Sequence, residues 1–578
     1  MNLFKHRRLA ILLGLFLALG LLTAVPAGAT HGGSPSPELA VVGQADAAEL
    51  GVFGENITDV WAAQSSSDDG DYAYLGSFDD IACTFDTTGT HIVDITDPAN
   101  PEKVAFIADK PSTRTNDVKV EHIETKHFNG EILVATNEPC GSQFVPRLTS
   151  NGVSGNAGRG GFSIWNVTDP TKPRALKQNF LPDNGIHNTY IWQDGDNAYL
   201  IAVDDVALDD VIVVDITKPQ SPKVIARTGA PDWPTLDSSE IESAGIFIHD
   251  VWVQENDDQT IAYLSYWDAG LVLLDVSDPA NPVFLGDSTY LTPDPLSGEA
   301  PEGNSHVAVP NADGTRVLMG DEDFAAGGLT SFTVNGADPA SGSVEGAFTT
   351  PTFTLPGGTF AGTAQTQGGS FGCNPGDLAL AAAADSVAII QRGVCNFDLK
   401  AQHAINAGYT GMVIYNDAAR GDALVLMGGD SRAIAGYFVG HSDGAAIADG
   451  DAIAAIGLFD GMGYLRLLDV NNPGSIVELD QFATENVFAN PPVAGDTTMH
   501  NIVVDDGTTA YISWYAEGMR VVDFSGDVLT ETAHFVDTVD GSNFWGVYLY
   551  EHSDGETYIL GSDRVTGLWI FDSVIPTP

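Results

Sequence analysis

Histidine and carboxylate residues recur at corresponding places along this chain of 578 residues. Four short apolar segments begin at or next to a histidine, and other segments end in or beside an acidic residue. The residues concerned are His187, His249, His306 and His500, with Asp79, Asp204, Asp268, Asp321, Glu322 and Asp563. Neutral imidazole nitrogen and anionic oxygen together bind divalent transition-metal ions. Metal binding is therefore one candidate chemistry for this protein.

The alternative is structural, with each histidine bonded to a carboxylate or a backbone group that fixes a strand end. The structural role is favoured, because groups spread over many segments need not converge to about 2.1 Å from one ion. His306 is also expected to lie one residue out of register with the other three. The candidate metal ligands are His187, His249, His306, His500, Asp204, Asp268, Asp321 and Glu322, and no catalytic residue is assigned.

Other motifs give weaker indications. The acidic turns SSSDDGDY (65–72) and ENDDQT (255–260) are rich in oxygen ligands for calcium. Neither has the twelve-residue loop that ends in Glu, so both are expected to be hairpin turns. The segment GGSFG (368–372) fits the Gly-x-Ser-x-Gly pattern but lacks its strand-to-helix context. No cofactor is certain, and a divalent metal, either calcium or a transition metal, is the one candidate.

A repeated motif must position these residues. It occurs seven times, as GTHIVDITDP, GFSIWNVTDP, DVIVVDITKP, GLVLLDVSDP, GYLRLLDVNNP, GMRVVDFSGD and GLWIFDSV. The copies share an acidic or amide position at Asp94, Asn166, Asp215, Asp275, Asp469, Asp523 and Asp572. Five of the six spacings lie between 49 and 72 residues. Periods of this size indicate stacked structural units.

Each unit has the pattern of four antiparallel strands. Between Ile248 and Gly286 these strands are HDVWV, IAYLSYW, LVLLDV and PVFLG. Middle strands such as VIVVDI are apolar on successive residues, which predicts burial on both faces. The sequence therefore predicts a mainly β fold, a seven-bladed β-propeller, in which ELAVVGQ near Glu38 completes the last blade. A linear β-solenoid is the alternative, but its repeats would be shorter. In a propeller, the histidines and carboxylates gather at one mouth of the central channel.

The Leu-Val-Ile-Val-Asp motif with its following Asp-Pro-x-x-Pro resembles the LVIVD-repeat family of exported prokaryotic proteins. The resemblance covers most of the chain apart from one segment. It implies a propeller-like architecture. It implies almost nothing about chemistry, because most members have no assigned activity.

The repeat is interrupted between Asp275 and Asp469, which are 194 residues apart. An excess of about 140 residues is too long for a loop and predicts a domain inserted between the second and third strands of the fifth blade. The inserted segment resembles the protease-associated (PA) domain, a small α/β domain, over Phe371 to about Gly440. The resemblance lies in VAIIQRGVCNF, KAQHAINAGY and GMVIYND. The resemblance implies a non-catalytic module that binds or gates peptides, here without a recognisable protease domain. It also implies a disulfide between Cys373 and Cys395.

The N-terminal residues predict export. Lys5, Arg7 and Arg8 precede an apolar run from Leu9, and Ala27-Gly28-Ala29 satisfies the small-residue rule for signal-peptide cleavage. Loss of three basic residues with the leader changes the net charge from −54 to about −57. Such a surface excludes nucleic acid and anionic lipid as partners. In an oxidising compartment the other two cysteines, Cys83 and Cys140, are expected to pair as well.

The predicted organisation is a signal peptide at 1–29, a first propeller part at 30–328, a PA domain with linkers at 329–458 (core about 345–457) and a second propeller part at 459–578. The predicted function is binding of an extracellular peptide, protein or glycan at the propeller mouth, with the PA domain as an accessory surface or lid. No transmembrane segment is expected after the leader is removed. The alternatives are a metal-dependent extracellular enzyme and a structural surface-layer or adhesion protein.

Overall fold

The computed structural model describes residues 36–54, 56–78, 88–110, 113–139, 160–182, 185–204, 210–233, 247–256, 259–288, 296–298 and 303–574. The leader, Asp79 and the expected pair Cys83 and Cys140 lie outside these residues. Among the described residues, no helix is long and apolar enough to cross a membrane.

The first half of the chain forms four antiparallel blades of four strands each. It begins with β1 (Val41–Asp46) and the one-turn helix α1 (Ala47–Leu50). Blade 1 contains β2 (Ile57–Gln64), β3 (Asp71–Ser77), β4 (Gly89–Asp94) and β5 (Glu102–Ala108). The next elements are β6 (Thr113–Arg114), β7 (Val118–Thr125), β8 (Phe128–Thr136), β9 (Glu138–Pro139), β10 (Phe162–Asn166) and β11 (Arg174–Phe180). Blade 2 consists of β7, β8, β10 and β11, while β6 and β9 pair separately.

Blades 3 and 4 follow without interruption. Blade 3 contains β12 (Ile186–Asp194), β13 (Asn197–Asp204), β14 (Val211–Asp215) and β15 (Lys223–Thr228). Blade 4 contains β16 (Ile248–Glu255), β17 (Thr260–Tyr266), β18 (Gly270–Asp275) and β19 (Val283–Asp287). These four strands correspond to the four segments predicted for the repeat between Ile248 and Gly286.

Blade 5 is divided in sequence. Its first two strands are β20 (Ser305–Pro310) and β21 (Arg316–Asp321). A separate seven-stranded sheet follows, made of β22 (Gly327–Val334), β23 (Ser343–Glu345), β24 (Thr359–Thr366), β25 (Ser386–Gln391), β26 (Gly411–Tyr415), β27 (Ala435–Val439) and β28 (Ala452–Phe459). This sheet is accompanied by helices α2 (Phe397–Asn406) and α3 (His441–Gly444). A disulfide joins Cys373 to Cys395, as expected.

The chain then returns to the propeller. Blade 5 is completed by β29 (Leu465–Asp469) and β30 (Val477–Phe482). Blade 6 contains β31 (Ile502–Val504), β32 (Thr509–Trp514), β33 (Gly518–Asp523) and β34 (Thr530–Phe535). The last three strands are β35 (Phe544–Glu551), β36 (Thr557–Asp563) and β37 (Gly567–Asp572), and β1 pairs antiparallel with β37 to complete blade 7. The predicted seven-bladed propeller is therefore confirmed, including its closure by the N-terminal strand.

The shared acidic or amide residue of the motif has a structural role. It is the last residue of the third strand in each of the seven blades. Its side-chain oxygen accepts a hydrogen bond from the backbone N–H two residues later, at 2.8–3.1 Å in all seven copies. This Asx turn redirects the chain toward the outer strand, and Asn166 forms it as well as an aspartate does. The repeat therefore encodes a turn and not a catalytic group.

The hydrophobic core is divided among the interfaces between blades. In β14, Val211 and Val213 pack with residues of blade 4, while Ile212 and Val214 pack with residues of blade 2. All four side chains are fully buried. Burial on both faces explains why the middle strands lack polar alternation, and each such side chain contributes about 1.5–3 kcal/mol.

A buried ion pair holds the two parts of blade 5 together across the insertion. Arg466, which is 1% exposed, lies on β29 and its Nε is 2.6 Å from Oδ2 of Asp321 at the end of β21. Its Nη1 is also 3.1 Å from Oε2 of Glu478 on β30. One guanidinium thus joins strands that precede and follow the inserted sheet.

We expect Arg466→Met to lower the free energy of unfolding by about 3–5 kcal/mol, because the buried Asp321 and the half-buried Glu478 lose their cation. Chemical denaturation followed by tryptophan fluorescence measures this loss. The matched control is Arg316→Met, which breaks a pair with the exposed Asp527 and should move the denaturation midpoint far less. Equal effects of the two substitutions would contradict a special role for the buried pair.

Candidate metal centre at the propeller mouth

The histidines reach the mouth because the innermost strands are irregular at the same point. In blades 3, 4 and 5 the pairing between the first two strands shifts immediately after the first paired residue. That paired residue is Ile186, Ile248 or Ser305, and the histidine is the next one in each case. A bulge of this kind re-aims a side chain out of the regular alternation. The bulges therefore turn one side chain per blade toward the channel.

His306 follows the same rule as the others. Ser305 pairs with Asp321 just as Ile248 pairs with Tyr266, the last residue of the second strand in each blade. The expectation that His306 lies one residue out of register is therefore wrong. Residue type at a strand end does not fix the register, because pairing is set by backbone hydrogen bonds.

The four histidines form a continuous row of rings across blades 3 to 6. The ring centroids of His187 and His249 are 4.4 Å apart, and those of His249 and His306 are 4.1 Å apart. The row continues from His306 to His500 at 4.1 Å and from His500 to Trp545 of blade 7 at 4.2 Å. Residues separated by more than three hundred positions in the sequence are thus neighbours at one rim.

Glu322 completes a group that could hold a metal ion. Potential ligand atoms of His249, His306 and Glu322 all lie within 4.8 Å of one another. The Nε2 atoms of His306 and His500 are each 3.7 Å from one oxygen of the Glu322 carboxyl group. These distances are too long for hydrogen bonds. The phenol of Tyr515 donates a hydrogen bond of 2.6 Å to Oε1 of Glu322 and fixes its orientation.

The protonation states suit metal binding. Burial lowers the pKa of His249, His306 and His500 well below the usual value, so these imidazoles are neutral near pH 7. Burial also raises the pKa of Glu322 to about 7, although the Tyr515 hydrogen bond opposes this shift. His249 donates from Nδ1 to the backbone oxygen of His306 at 3.3 Å, which leaves Nε2 as the basic nitrogen. A carbonyl partner on the second nitrogen is typical of metal-binding histidines.

The spacing fits a transition ion after a small adjustment. Ligands bound at about 2.0–2.2 Å to a tetrahedral ion lie about 3.3–3.6 Å from each other. His306 and Glu322 already approach this separation at 3.7 Å. The largest separation in the group, up to 4.8 Å, would have to shorten by about 1 Å. Nitrogen ligands favour a zinc-like ion over calcium, which takes oxygen ligands.

The other candidate ligands have different roles. His187 pairs with Glu138, Asp204 is buried beside Asp210, and Asp268 is exposed. Asp321 binds Arg466, and Asp563 accepts the backbone N–H groups of Val565 and Thr566 at 2.9 Å. The acidic turn at 65–72 is a hairpin turn in which Asp68 accepts the N–H of Gly70 at 3.1 Å.

Sequence reasoning missed four residues of the mouth: Glu138, Tyr515, Trp545 and Arg564. Trp545 occupies the bulge of β35, between Phe544 and Gly546, so it corresponds to the histidines of the other blades. Alignment of NFWGV with FIHDV would have placed it. The other three lie at strand ends and turns, where the repeat has no fixed residue type.

A second polar layer lies one residue further along the inner strands. It contains Asp59, Asp117, Asn188, Asp250 and Asn501. The ammonium of Lys119 is 2.8 Å from Oδ2 of Asp59 and also bonds Asp117. Both the backbone N–H and the hydroxyl of Thr189 donate to Asp117 as well. Lys119 therefore supplies the positive charge of this layer.

Two family models match the chain. The model of the LVIVD repeat matches residues 248–291, which span blade 4, and the model of the PA domain matches residues 359–447, which include β24 to β27. The chain is a seven-bladed β-propeller that contains an LVIVD repeat and a PA domain. No curated protein sequence matches it.

Several solved structures are weakly similar to the chain. The zinc aminopeptidase BSAP of Bacillus subtilis is 17% identical over 27% of this chain, which spans 36% of the length of that enzyme, with a TM-score of 0.21. The Cps50 (Swd1) β-propeller domain of Myceliophteria thermophila is 8% identical over 89% of this chain and 99% of its own, with a TM-score of 0.38. The periplasmic gluconolactonase PpgL of Pseudomonas aeruginosa is 8% identical over 90% and 98%, also with a TM-score of 0.38. Structural similarity this weak supports no assignment of function to this chain.

The buried carboxyl group of Glu121 should make the stability of the protein depend on pH. Burial raises the pKa of Glu121, near Tyr190 and Tyr548, from 4.5 to about 7. Between these values the folded state keeps a proton that the unfolded state releases, so the contribution of Glu121 to stability falls as pH rises. We expect Glu121→Gln to become more stable relative to the native protein across this range, as measured by chemical denaturation from about pH 4.5 to 7.5. Glu124→Gln, an exposed change on the same strand, is the control, and identical pH profiles for all three proteins would contradict the prediction.

Proposed function

We propose that this protein is a secreted or cell-surface binding protein whose propeller mouth holds a transition-metal ion and an extracellular ligand. The grouping of His249, His306 and Glu322 within 4.8 Å carries the proposal. Two neutral imidazoles and one carboxylate form a typical ligand set for such an ion. Three protein ligands leave a coordination position for a group of the bound peptide, protein or glycan.

The PA domain is proposed to be an accessory binding surface or a lid. Its sheet starts at Gly327, shortly after Glu322 in the sequence, and returns to the propeller through β29. The insertion therefore leaves the propeller next to one of the proposed metal ligands. A ligand held at the mouth would be close to the point where this domain is attached.

Metal analysis of the purified full-length protein tests the proposed site. After removal of metal with a chelator and reloading with Zn²⁺, we expect about one zinc ion per chain. His306→Ala and Glu322→Ala should each weaken zinc binding at least about tenfold, because each removes one ligand of a three-ligand set. His122→Ala is the control, since His122 is 46% exposed and pairs with Glu131 away from the group. Absence of zinc in the native protein, or undiminished zinc binding by both variants, would refute the site.

A metal-dependent extracellular enzyme is the second candidate function. The observation that favours it is the ligand number, because catalytic zinc sites keep three protein ligands and one exchangeable water. A zinc ion held by His249, His306 and Glu322 would supply a bound water of lowered pKa as a nucleophile near neutral pH. Zinc-loaded protein would be incubated with a panel of ester and peptide substrates. Turnover that disappears in His306→Ala would establish the enzyme, whereas retained zinc without turnover would support the binding protein.

The predicted signal peptide implies a defined N-terminus for the exported protein. We expect the protein recovered from the culture medium or the cell surface to begin at Thr30, after Ala27-Gly28-Ala29. Ala29→Leu should slow cleavage, because the signal peptidase requires small residues there. N-terminal sequencing or intact-mass measurement checks both points. An external protein that retains the whole leader, or a cytoplasmic one, would contradict the prediction.

A further inference from the structure

The mouth of the propeller is surrounded by a continuous series of side-chain contacts. The histidine row forms one side of it. From Trp545 the contacts continue on the other side through Arg564, Phe78, Arg114 and Glu138 and return to His187. The mouth therefore carries the proposed metal ligands and two guanidinium groups, and Arg564 adjoins the end of the histidine row through Trp545.

Aromatic rings hold these guanidinium groups by their faces. The guanidinium carbon of Arg564 lies 5.0 Å from the ring centre of Trp545 and 5.6 Å from that of Phe78. Arg114 lies 4.8 Å from the same Phe78 ring. Stacking fixes the plane of a guanidinium, whose N–H donors all lie along its edges. Such an arrangement matches the two oxygens of a carboxylate or a phosphate.

Both arginines act on titratable groups of the mouth. Nε of Arg114 is 2.7 Å from Oε2 of Glu138. Burial acts to raise the pKa of Glu138, but Arg114 and His187 outweigh it and lower the pKa to about 2, so this carboxylate is ionised and balances Arg114. The charge of Arg564 also acts on the proposed metal group: burial raises the pKa of Glu322 and Arg564 opposes that rise, whereas burial lowers the pKa of His500 and Arg564 adds to that fall.

We propose that the ligand of the mouth carries an oxyanion group, a carboxylate or a phosphate, that binds the metal at His249, His306 and Glu322 and accepts hydrogen bonds from Arg564. This inference rests on the proposed metal site and names the chemistry of its ligand. A divalent ion and a guanidinium attract an anion together, and charge-assisted hydrogen bonds add directional strength. The rest of the surface is strongly acidic, so this selectivity comes from short-range contacts at the mouth.

Cobalt-loaded full-length protein provides the test, because visible absorption of Co²⁺ in a nitrogen–oxygen site reports on its coordination. Inorganic phosphate and acetate are titrated separately, and the pair of titrations shows which oxyanion is preferred. We expect a saturable change of the cobalt band with at least one of them. Arg564→Met should raise its dissociation constant at least about tenfold, while Arg564→Lys, which keeps the charge, should raise it less. The matched control is Arg174→Met, an exposed arginine on β11, and it should leave the titration unchanged.

Each outcome decides one point. A cobalt band that neither anion alters, or an equal dissociation constant in Arg564→Met and the native protein, would overturn the inference and leave the metal site intact. Absence of any cobalt band in the native protein would overturn the metal site and the inference together. Thermal unfolding of each variant separates loss of an anion contact from loss of the Trp545 packing. A titration weakened in Arg564→Met at an unchanged melting temperature supports the inference.

Discussion

The pairing of β1 with β37 is the contact on which the mouth depends, because it closes the propeller into a ring. Five residue pairs, from Val41 with Phe571 to Asp46 with Gly567, join the two ends of the described chain. Closure covers the strand edge that the last three-stranded sheet would otherwise expose. It also obliges the seven innermost strands to surround one axis. Only under that condition do side chains from distant blades meet at a single rim.

The bulges convert this closed frame into a polar site. A regular inner strand would direct successive side chains into the two neighbouring interfaces, where the apolar core lies. The shift after Ile186, Ile248 and Ser305 instead frees one residue per blade for the channel. Burial of several imidazoles in a row is tolerated because they are neutral. The same neutrality is what a metal ion requires of its nitrogen ligands, so one physical condition serves both stability and binding.

The channel keeps its charges in separate layers. Lys119 satisfies Asp59 and Asp117 below the histidines, whereas Glu322 at the rim has Tyr515 as its hydrogen-bond donor. A buried carboxylate with an internal cation is already compensated, and one without it gains more from an added ion. This difference explains why the proposed metal site lies at the rim and not in the layer with more acidic residues.

The sequence by itself determined the blade count, the closing strand and the inserted PA domain, because apolar runs, turn residues and the Asx position repeat locally in each copy. It also identified His249, His306 and Glu322 as candidate metal ligands, since residue type and strand position are local properties. Only the tertiary structure decided which candidate ligands lie close together. Asp321 forms an ion pair with Arg466, and Asp268 is exposed, so neither belongs to the proposed metal group. The position of Arg564 at the rim also follows only from the tertiary structure. Distances across a ring depend on the pairing register and curvature of all seven blades, and no single segment of sequence encodes them.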